Sequence, residues 1–316
     1  MARQRISAVT QKSPLLPSNP LSAVTGAQVY LKIETFQPTG SFKIRGAANK
    51  ILSLSDHERV RGVITASTGN HGRAVAYIAK KLGVRATVCL SKDVPENKVK
   101  ALRLLGAKVV ISGRSQADAF DRAAELQSTE GYSFIPPFDD AGIIAGQGTI
   151  GLELLEAVPE IDAVLVPVSG GGLISGVAKV AKSASRKVKV MGISMERAPV
   201  MYHSLRAGKP VQMEEEDTLA DSLRGGIGAD NQYTFHIVRS LVDNIVLVSE
   251  EEIAAAIRFV LNQHRIVVEG AGAVGIAALL AGKLTNLGEN IAIILSGGNV
   301  DTQSLLKTLD FSRSGK

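Results

Sequence analysis

Lys43 is the residue of this sequence whose surroundings best suit covalent chemistry. It lies between a strand-like segment of alternating residues, 29–33, and a helix that the sequence predicts from Ala47 onward. Phe42 and Ile44 flank it, and partial desolvation by apolar neighbours lowers the pKa of a lysine and makes its amine a nucleophile or a Schiff-base former. The alternative is a solvated lysine at a helix N-terminus, which is the commoner state of an isolated lysine.

Ser169-Gly170-Gly171-Gly172 is a glycine-rich segment between a predicted strand and a predicted helix. Consecutive glycines let backbone N–H groups surround an anion, and the dipole of the following helix adds to the attraction. The segment lacks the Gly-Lys-Ser/Thr ending of a P-loop. It therefore predicts a phosphate site that uses no lysine, and the alternative is a flexible turn.

Ser67-Thr68-Gly69-Asn70-His71-Gly72 is a second polar turn after a predicted strand. Its hydroxyls, amide and backbone N–H groups suit a carboxylate or an aromatic hydroxyl, while the alternative is a helix cap by Ser67 or Thr68. Ser296-Gly297-Gly298-Asn299 is a third such turn. Because ligands of open parallel sheets bind at the carboxyl ends of strands, we expect the three turns to converge on one crevice.

Predicted strands and helices alternate along the chain, which indicates an α/β fold with two doubly wound domains and mostly parallel sheets. The segment 136–140, Pro-Pro-Phe-Asp-Asp, interrupts the alternation and is predicted to mark a domain boundary. We expect a large domain from residues 1–50 and 139–316, and a small mobile domain from residues 51–138 that closes over substrate. The predicted strands are 29–33, 62–66, 86–90, 108–111, 133–135, 163–168, 188–193, 244–248 and 291–295, and the predicted helices include 73–82, 148–157 and 275–284.

The composition is that of a globular protein with a sizeable core, since 45% of the 316 residues are hydrophobic and 21% are charged. No apolar run is long enough to span a bilayer, and the basic N-terminus lacks the apolar core of a signal peptide. A single cysteine, Cys89, suits a reducing cytoplasm. The net charge of +6 comes from scattered cations and favours anionic ligands over nucleic acid. We therefore expect a cytoplasmic protein with no nucleic-acid or membrane partner.

The segment 270–275, Gly-Ala-Gly-Ala-Val-Gly, matches the spacing of the dinucleotide fingerprint and follows the apolar run 266–268. The fingerprint also needs an acidic residue at the end of the next strand. Here that predicted strand ends at Leu295-Ser296. A nicotinamide-dependent dehydrogenase is therefore a remote alternative.

Five motifs follow one another along the chain: Ser41-Phe42-Lys43-Ile44-Arg45-Gly46-Ala47, Ser67-Thr68-Gly69-Asn70-His71-Gly72, Ile144-Ala145-Gly146-Gln147-Gly148-Thr149, Ser169-Gly170-Gly171-Gly172-Leu173 and Ser296-Gly297-Gly298-Asn299. In this order they resemble the serine/threonine dehydratases, a family of fold-type-II pyridoxal-phosphate enzymes that includes serine racemase and 3-hydroxyaspartate dehydratase. The resemblance covers nearly the whole chain. It implies pyridoxal 5′-phosphate as cofactor and an amino acid as substrate, and we expect a homodimer.

The resemblance also implies a role for each motif. Lys43 would form the Schiff base with the cofactor and, once substrate frees it, remove the Cα proton. The other implied cofactor contacts are Phe42 on the pyridine ring, Asn70 on the ring hydroxyl, Ser296 on the pyridine nitrogen, and the backbone N–H groups of Ser169, Gly170, Gly171, Gly172 and Leu173 on the phosphate. The implied substrate-carboxylate contacts are Ser67, Thr68, Gly69 and His71.

The activity implied by the resemblance is β-elimination from serine, threonine or 3-hydroxyaspartate, which releases a 2-oxo acid and ammonia. Thr68 or the cofactor phosphate would protonate the departing hydroxyl. Thr68 also stands where serine racemase has an acid/base serine, so a serine or aspartate-type racemase is an alternative, as is a non-enzymatic amino-acid sensor. A second substrate carboxylate would need a cation, for which Arg73 and Arg224 are candidates.

Serine racemase-like members bind a divalent cation through a glutamate and an aspartate six residues later. Glu196 is present here, but Tyr202 holds the second position. No histidine or cysteine cluster has the spacing of metal ligands either. We therefore expect no metal site.

Overall fold

Residues 1–67, 69–92, 94 and 96–310 are described by a computed structural model of the chain. Its helices are α1 (Ala2–Ile6), α2 (Asn19–Thr25), α3 (Lys43–Leu52), α4 (Asp56–Arg61), α5 (Asn70–Leu82), α6 (Glu96–Leu104), α7 (Gln116–Glu130), α8 (Ala141–Ala157), α9 (Gly172–Ala184), α10 (Val200–Ala207), α11 (Thr234–Leu241), α12 (Glu250–His264), α13 (Gly270–Leu280) and α14 (Thr302–Asp310). Its strands are β1 (Leu15–Pro17), β2 (Gln28–Ile33), β3 (Val63–Thr65), β4 (Ala86–Leu90), β5 (Lys108–Ile111), β6 (Ser133–Phe134), β7 (Ala163–Pro167), β8 (Lys189–Met195), β9 (Asn244–Val248) and β10 (Asn290–Leu295).

These elements form two compact units, each built from two separate stretches of sequence. Unit 1 contains residues 1–11 and 37–147, and unit 2 contains residues 12–36 and the chain from 148 onward. This division differs from the predicted domains. Residues 1–11, 37–50 and 139–147, which include α3, belong to the same unit as the segment 51–138 and not to the large domain. Ile44 and Ile51 of α3 are fully buried in the same apolar cluster as α5, β3 and β4. The predicted mobility of residues 51–138 stays a prediction.

Unit 1 contains a parallel sheet in the order β5-β4-β3-β6, with helices on both faces. Val63 and Val88 pack in the cluster that contains α5, whereas the adjacent residues Ile64 and Cys89 pack in the cluster that contains α7. Because successive side chains of a strand point to opposite faces, α5 and α7 lie on opposite sides of the sheet. Unit 1 is therefore doubly wound.

Unit 2 contains a sheet in the order β1-β2-β10-β7-β8-β9, in which only β1 is antiparallel to its neighbour. α13 packs on one face, where a Cβ on Gly275 would lie 2.7 Å from Ile293 Cγ2. α9 packs on the other face, where a Cβ on Gly192 would lie 3.2 Å from Ile174 Cδ1. Both units therefore have the predicted α/β architecture with mostly parallel sheets.

Two of the differences from the predicted elements occur at glycines. α8 begins at Ala141, not near residue 148. The glycines in α8 allow a close approach to neighbouring backbone, since a Cβ on Gly146 would lie 2.5 Å from the carbonyl oxygen of Arg45. Residues 265–269 form no strand, and α13 begins at Gly270, five residues before the predicted start. Among the described residues, no helix combines the length and apolarity needed to cross a bilayer.

Candidate functional site

Lys43 is the first residue of α3, and its amine is half-buried. The Nζ atom donates a hydrogen bond of 2.7 Å to the carbonyl oxygen of Pro137 and lies 5.3 Å from the centroid of the Phe42 ring. Ser41 is fully buried, and its hydroxyl has no hydrogen-bond partner in the part of the chain that the structure describes. The junction predicted from the sequence therefore presents an amine against an aromatic ring, with an unsatisfied hydroxyl two residues before it.

The turn at residues 67–72 leads directly into α5, whose first residues are Asn70 and His71. Both side chains are buried. The turn is tight, since a Cβ on Gly72 would lie 2.0 Å from the carbonyl oxygen of Ser67. An added Cβ on Gly69 would meet open space, so this side of the turn is accessible. Thr68, predicted to be catalytic, lies outside the described residues.

His71 is neutral because burial, and secondly the positive charge of Lys43, lower its pKa to about 3. Its Nε2 lies 2.9 Å from the carbonyl oxygen of Ile135. A carbonyl oxygen only accepts hydrogen bonds, so Nε2 carries the proton and Nδ1 is an acceptor. Lys43 and His71 are thus electrostatically coupled and are held by carbonyls of the same segment, 135–137.

The segment 169–172 connects β7 to α9 in unit 2. Gly171 has φ +86°, and a Cβ there would lie 2.9 Å from Met201 Cε and 3.0 Å from Thr234 Cβ. Only glycine suits this position without strain. The first N–H groups of α9 have no acceptor within the helix and point out of its N-terminus, which also carries the positive end of the helix dipole. The segment therefore has a backbone suited to an anion nest, and its binding of phosphate stays a prediction.

Three residues belong to or adjoin this nest in sequence. Leu173 is buried in the first turn of α9, and Ser169 is half-buried two residues after β7. Ser175 is fully buried one turn into α9, and its hydroxyl has no partner among the described residues. A phosphate supplies several acceptor oxygens, so the N–H groups and the unsatisfied Ser175 hydroxyl fit such a group.

Ser296 follows β10 and is almost fully buried. Because β10 is the parallel neighbour of β7, Ser296 lies at the same sheet edge as the segment 169–172. The carbonyl oxygen of Gly297 accepts a hydrogen bond from the Glu269 N–H, and the Glu269 carboxylate accepts one from the Asn299 N–H. These hydrogen bonds fix the turn at 296–299 against the start of α13. Whether all three turns converge on one crevice stays a prediction.

The glycines of 270–275 have a structural explanation. A Cβ on Gly270 would lie 2.0 Å from the carbonyl oxygen of Leu219, and one on Gly272 would lie 2.7 Å from that of Gly297. These glycines are the start of α13 and allow it to pack under the turn at 296–299. No strand precedes them in residues 265–269. The segment therefore lacks the strand–turn–helix geometry of a dinucleotide site, which removes the basis for the nicotinamide alternative.

No set of three or more histidine, cysteine, aspartate or glutamate side chains could hold a metal ion within the described ranges. The Glu196 carboxylate lies 3.3 Å from the Lys283 ammonium. Tyr202, six residues later, accepts a hydrogen bond of 3.0 Å from Arg206 through its hydroxyl oxygen. This pair does not fit a divalent cation.

Amines react with aldehydes, and backbone N–H groups at a helix N-terminus suit a phosphate, so these two features each fit a part of a phosphorylated aldehyde. The chain belongs to the family of pyridoxal-phosphate dependent enzymes, whose family model matches residues 6–297. This confirms the predicted cofactor.

Relatives of known name agree with this assignment. The chain is 46% identical to the L-threonine ammonia-lyase of Thermotoga maritima, over 96% of this chain and 75% of that protein. It is 40% identical to the catabolic L-threonine dehydratase of Escherichia coli K12, over 98% and 94% of the two chains. The solved structure of maize serine racemase superposes with a TM-score of 0.92 at 36% identity, covering 98% of this chain and 95% of that one. These findings confirm the predicted dehydratase-like family and its fold-type-II fold.

The sequence does not predict the roles of the segment 135–137 and Ser175. It predicts a domain boundary at 136–140, whereas the two units divide after Gln147 and Pro136 and Pro137 lie within unit 1, outside regular structure. Their importance lies in backbone carbonyls that hold Lys43 and His71, and a carbonyl has no sequence signature. The roles predicted for individual site residues stay predictions.

Proposed function

We propose that this chain is a pyridoxal-phosphate-dependent ammonia-lyase that converts a hydroxy-amino acid into a 2-oxo acid and ammonia by β-elimination. The observation that carries the proposal is the half-buried amine of Lys43, held against Phe42 and beside the neutral His71. The relatives named L-threonine ammonia-lyase and L-threonine dehydratase support the same reaction class.

In unit 1, Lys43 holds the cofactor through its amine and later takes the Cα proton of the substrate. Phe42 packs against the pyridine ring, and Asn70 donates to the ring hydroxyl. The substrate carboxylate binds the N-terminus of α5 through Ser67, Thr68, Gly69 and His71, where free N–H groups and the helix dipole attract an anion. Because the ring proton of His71 is donated to Ile135, His71 would contact the carboxylate through its backbone N–H, and its neutral ring does not compete with Lys43 for a proton.

In unit 2, the backbone N–H groups from Ser169 to Leu173 bind the cofactor phosphate. Ser296 faces the pyridine nitrogen as a neutral hydroxyl, which does not hold that nitrogen in its protonated form. Bound pyridoxal phosphate supplies an electron sink for the bonds at Cα. A weakened sink would favour prompt loss of the β-hydroxyl, and Thr68 or the cofactor phosphate would donate the proton to that leaving group.

Serine, threonine and 3-hydroxyaspartate are the candidate substrates. The second carboxylate of 3-hydroxyaspartate requires a free cation. Arg224 donates to Asp217 at 3.0 Å and lies 3.9 Å from Glu215, so its charge is already compensated. Arg73 is half-buried in the first turn of α5, two residues after His71, and is the better candidate. We also propose that the enzyme acts in the cytoplasm as a homodimer.

An assay of the holoenzyme tests the proposal. The three hydroxy-amino acids are supplied separately, and ammonia, 2-oxo acid and D-enantiomers are measured. We expect equal amounts of ammonia and 2-oxo acid from at least one substrate. A D-enantiomer formed faster than ammonia would favour the racemase alternative, which the likeness to maize serine racemase supports. The absence of both products would overturn the proposal and leave an amino-acid sensor.

Lys43→Ala tests the covalent role separately from turnover. Borohydride reduction fixes the cofactor to its lysine, and mass spectrometry of the digested protein locates it. We expect the wild-type label on the peptide containing Lys43 and none on the variant. Lys50→Ala is the matched control, because Lys50 lies in the same helix but pairs with Asp140 at 2.6 Å. A label that survives in Lys43→Ala contradicts the assignment.

A further inference from the structure

Lys283 lies at the centre of an oxygen cluster on unit 2. Its Nζ donates to the Glu252 carboxylate at 2.7 Å, to the carbonyl oxygen of Leu247 at 3.0 Å and to the Glu196 carboxylate at 3.3 Å. An ammonium has three N–H donors, and here each has its own oxygen acceptor. All three N–H donors of Lys283 are therefore engaged in hydrogen bonds to this cluster.

The three acceptors come from three different elements at one sheet edge. Glu196 directly follows β8, Leu247 is in β9, and Glu252 is in the first turn of α12. β8 and β9 are parallel neighbours, so the ammonium ties together the carboxyl ends of two strands and the helix that follows. Glu252 is also fixed by the backbone N–H of Ser249 at 2.8 Å.

The surroundings of Lys283 keep its amine protonated at neutral pH. Desolvation opposes the charge of Lys283, but hydrogen bonds to Glu252 and Glu196 outweigh it and raise the pKa of Lys283 above its ordinary value. Two carboxylates and a carbonyl are also the ligands that hard divalent cations prefer. The ammonium and such a cation would compete for the same oxygens.

We propose that the Lys283 ammonium is a built-in cation that joins β8, β9 and α12, so that this chain does not bind a divalent cation at Glu196. Tyr202 agrees with this, because its hydroxyl oxygen accepts from Arg206 and it offers no carboxylate at the sixth position after Glu196. This cluster differs from an ordinary surface ion pair, because removing the lysine should leave a set of oxygens that a divalent cation can bind.

The test compares thermal midpoints of the holoenzyme in EDTA and in millimolar MgCl₂ or CaCl₂, with ionic strength matched by NaCl. We expect no cation response of the wild-type protein. Lys283→Ala should melt lower in EDTA and regain about 2 °C or more when the cation reaches tenfold its dissociation constant. Calorimetric titration of the variant with CaCl₂ should give saturable binding, and wild-type protein should give none.

Three control variants isolate the cluster. Lys283→Arg keeps a cation and should stay indifferent to metal. Lys283→Ala combined with Glu252→Gln should lose the gained response. Lys182→Ala removes a lysine that donates to both oxygens of Asp243, at 2.7 and 3.0 Å, but leaves one carboxylate, so it should gain no response.

Several outcomes would overturn the proposal. A saturable rise of the wild-type midpoint with either cation shows that the ammonium does not exclude metal. If Lys283→Ala melts like wild type, or melts lower without any response to the cation, the cluster is only a surface ion pair. The wild-type titration decides the first point even where a variant does not fold.

Discussion

His71 is held without a charge at neutral pH by its burial and by the neighbouring Lys43. A folded pKa of about 3 lies far below the ordinary value of 6.5, so the unfolded chain binds a proton in a pH range where the folded protein does not. The stability linked to this histidine is therefore complete above pH 6.5 and is lost as the pH falls toward 3. Each pH unit in that range removes about 1.4 kcal/mol.

His71→Gln should remove this part of the acid sensitivity, because a glutamine amide can still donate to Ile135 and does not titrate. Between pH 7.5 and pH 5 the wild-type free energy of unfolding should fall by about 2 kcal/mol more than that of the variant. Urea unfolding of the holoenzyme at both pH values measures the difference. His57→Gln, at an exposed position of α4, is the matched control and should behave as wild type. Equal pH slopes for the wild-type protein and His71→Gln would contradict the neutral histidine.

The N-terminus of α9 is the element on which the proposed phosphate contacts depend. Gly171→Ala adds a Cβ at φ +86°, 3.0 Å from Thr234 Cβ, so the turn must shift. A shift of the nest should weaken pyridoxal-phosphate binding at least tenfold, which corresponds to about 1.4 kcal/mol. Titration of the apoenzyme with the cofactor, followed by absorbance, measures this change.

Gly208→Ala is the control for backbone strain alone. Gly208 ends α10 with φ +72°, and a Cβ there meets nothing within 4 Å. This variant should lose about 1 kcal/mol of stability and keep the wild-type cofactor affinity. Unchanged cofactor affinity in Gly171→Ala would mean that the phosphate binds elsewhere.

At the scale of the whole molecule, a buried ion pair joins distant parts of unit 2. Lys32 of β2 and Glu153 of α8 lie 2.5 Å apart, and their side chains are 1% and 6% exposed. The Lys32 Nζ also donates to the carbonyl oxygen of Ser13 at 2.7 Å. The Lys32 ammonium therefore connects strand β2 to the segment before β1, which contains Ser13, and to helix α8, which contains Glu153.

Glu153→Gln should lower the free energy of unfolding by about 3–5 kcal/mol, because it removes a negative charge that lies 2.5 Å from a buried ammonium. Lys32→Met combined with Glu153→Gln should cost less than the sum of the two single changes, because each single change already removes the attraction between the two charges. Denaturant unfolding of the four proteins in this cycle measures the coupling. The exposed pair of Arg59 and Asp56 is the comparison, and Asp56→Asn should cost at most about 1 kcal/mol. Additive losses in the buried pair would contradict the coupling.

The sequence predicts those features of the fold that depend on the pattern of neighbouring residues. The parallel strands and the turn with Gly171 in the left-handed region were predicted because buried strands and glycine runs have signatures in the chain itself, whereas the antiparallel edge strand β1 was not. Contacts between distant residues were not found. The carbonyls of Ile135 and Pro137 that hold His71 and Lys43 have no side-chain signal, and the glycines of 270–275 resembled a nucleotide motif although they serve helix packing. The domain boundaries differ for the same reason, since α3 is assigned to unit 1 by packing alone.

The interleaved composition of the two units has a consequence for biosynthesis. β2 is synthesised early, whereas β10, the strand that pairs with it through Leu31 and Ile293, is synthesised much later. All the residues of unit 1 precede most of unit 2 along the chain. During translation, all the residues of unit 1 therefore leave the ribosome before β10 is available to pair with β2. Closure of the larger sheet is a late and non-local event, and such pairings form slowly.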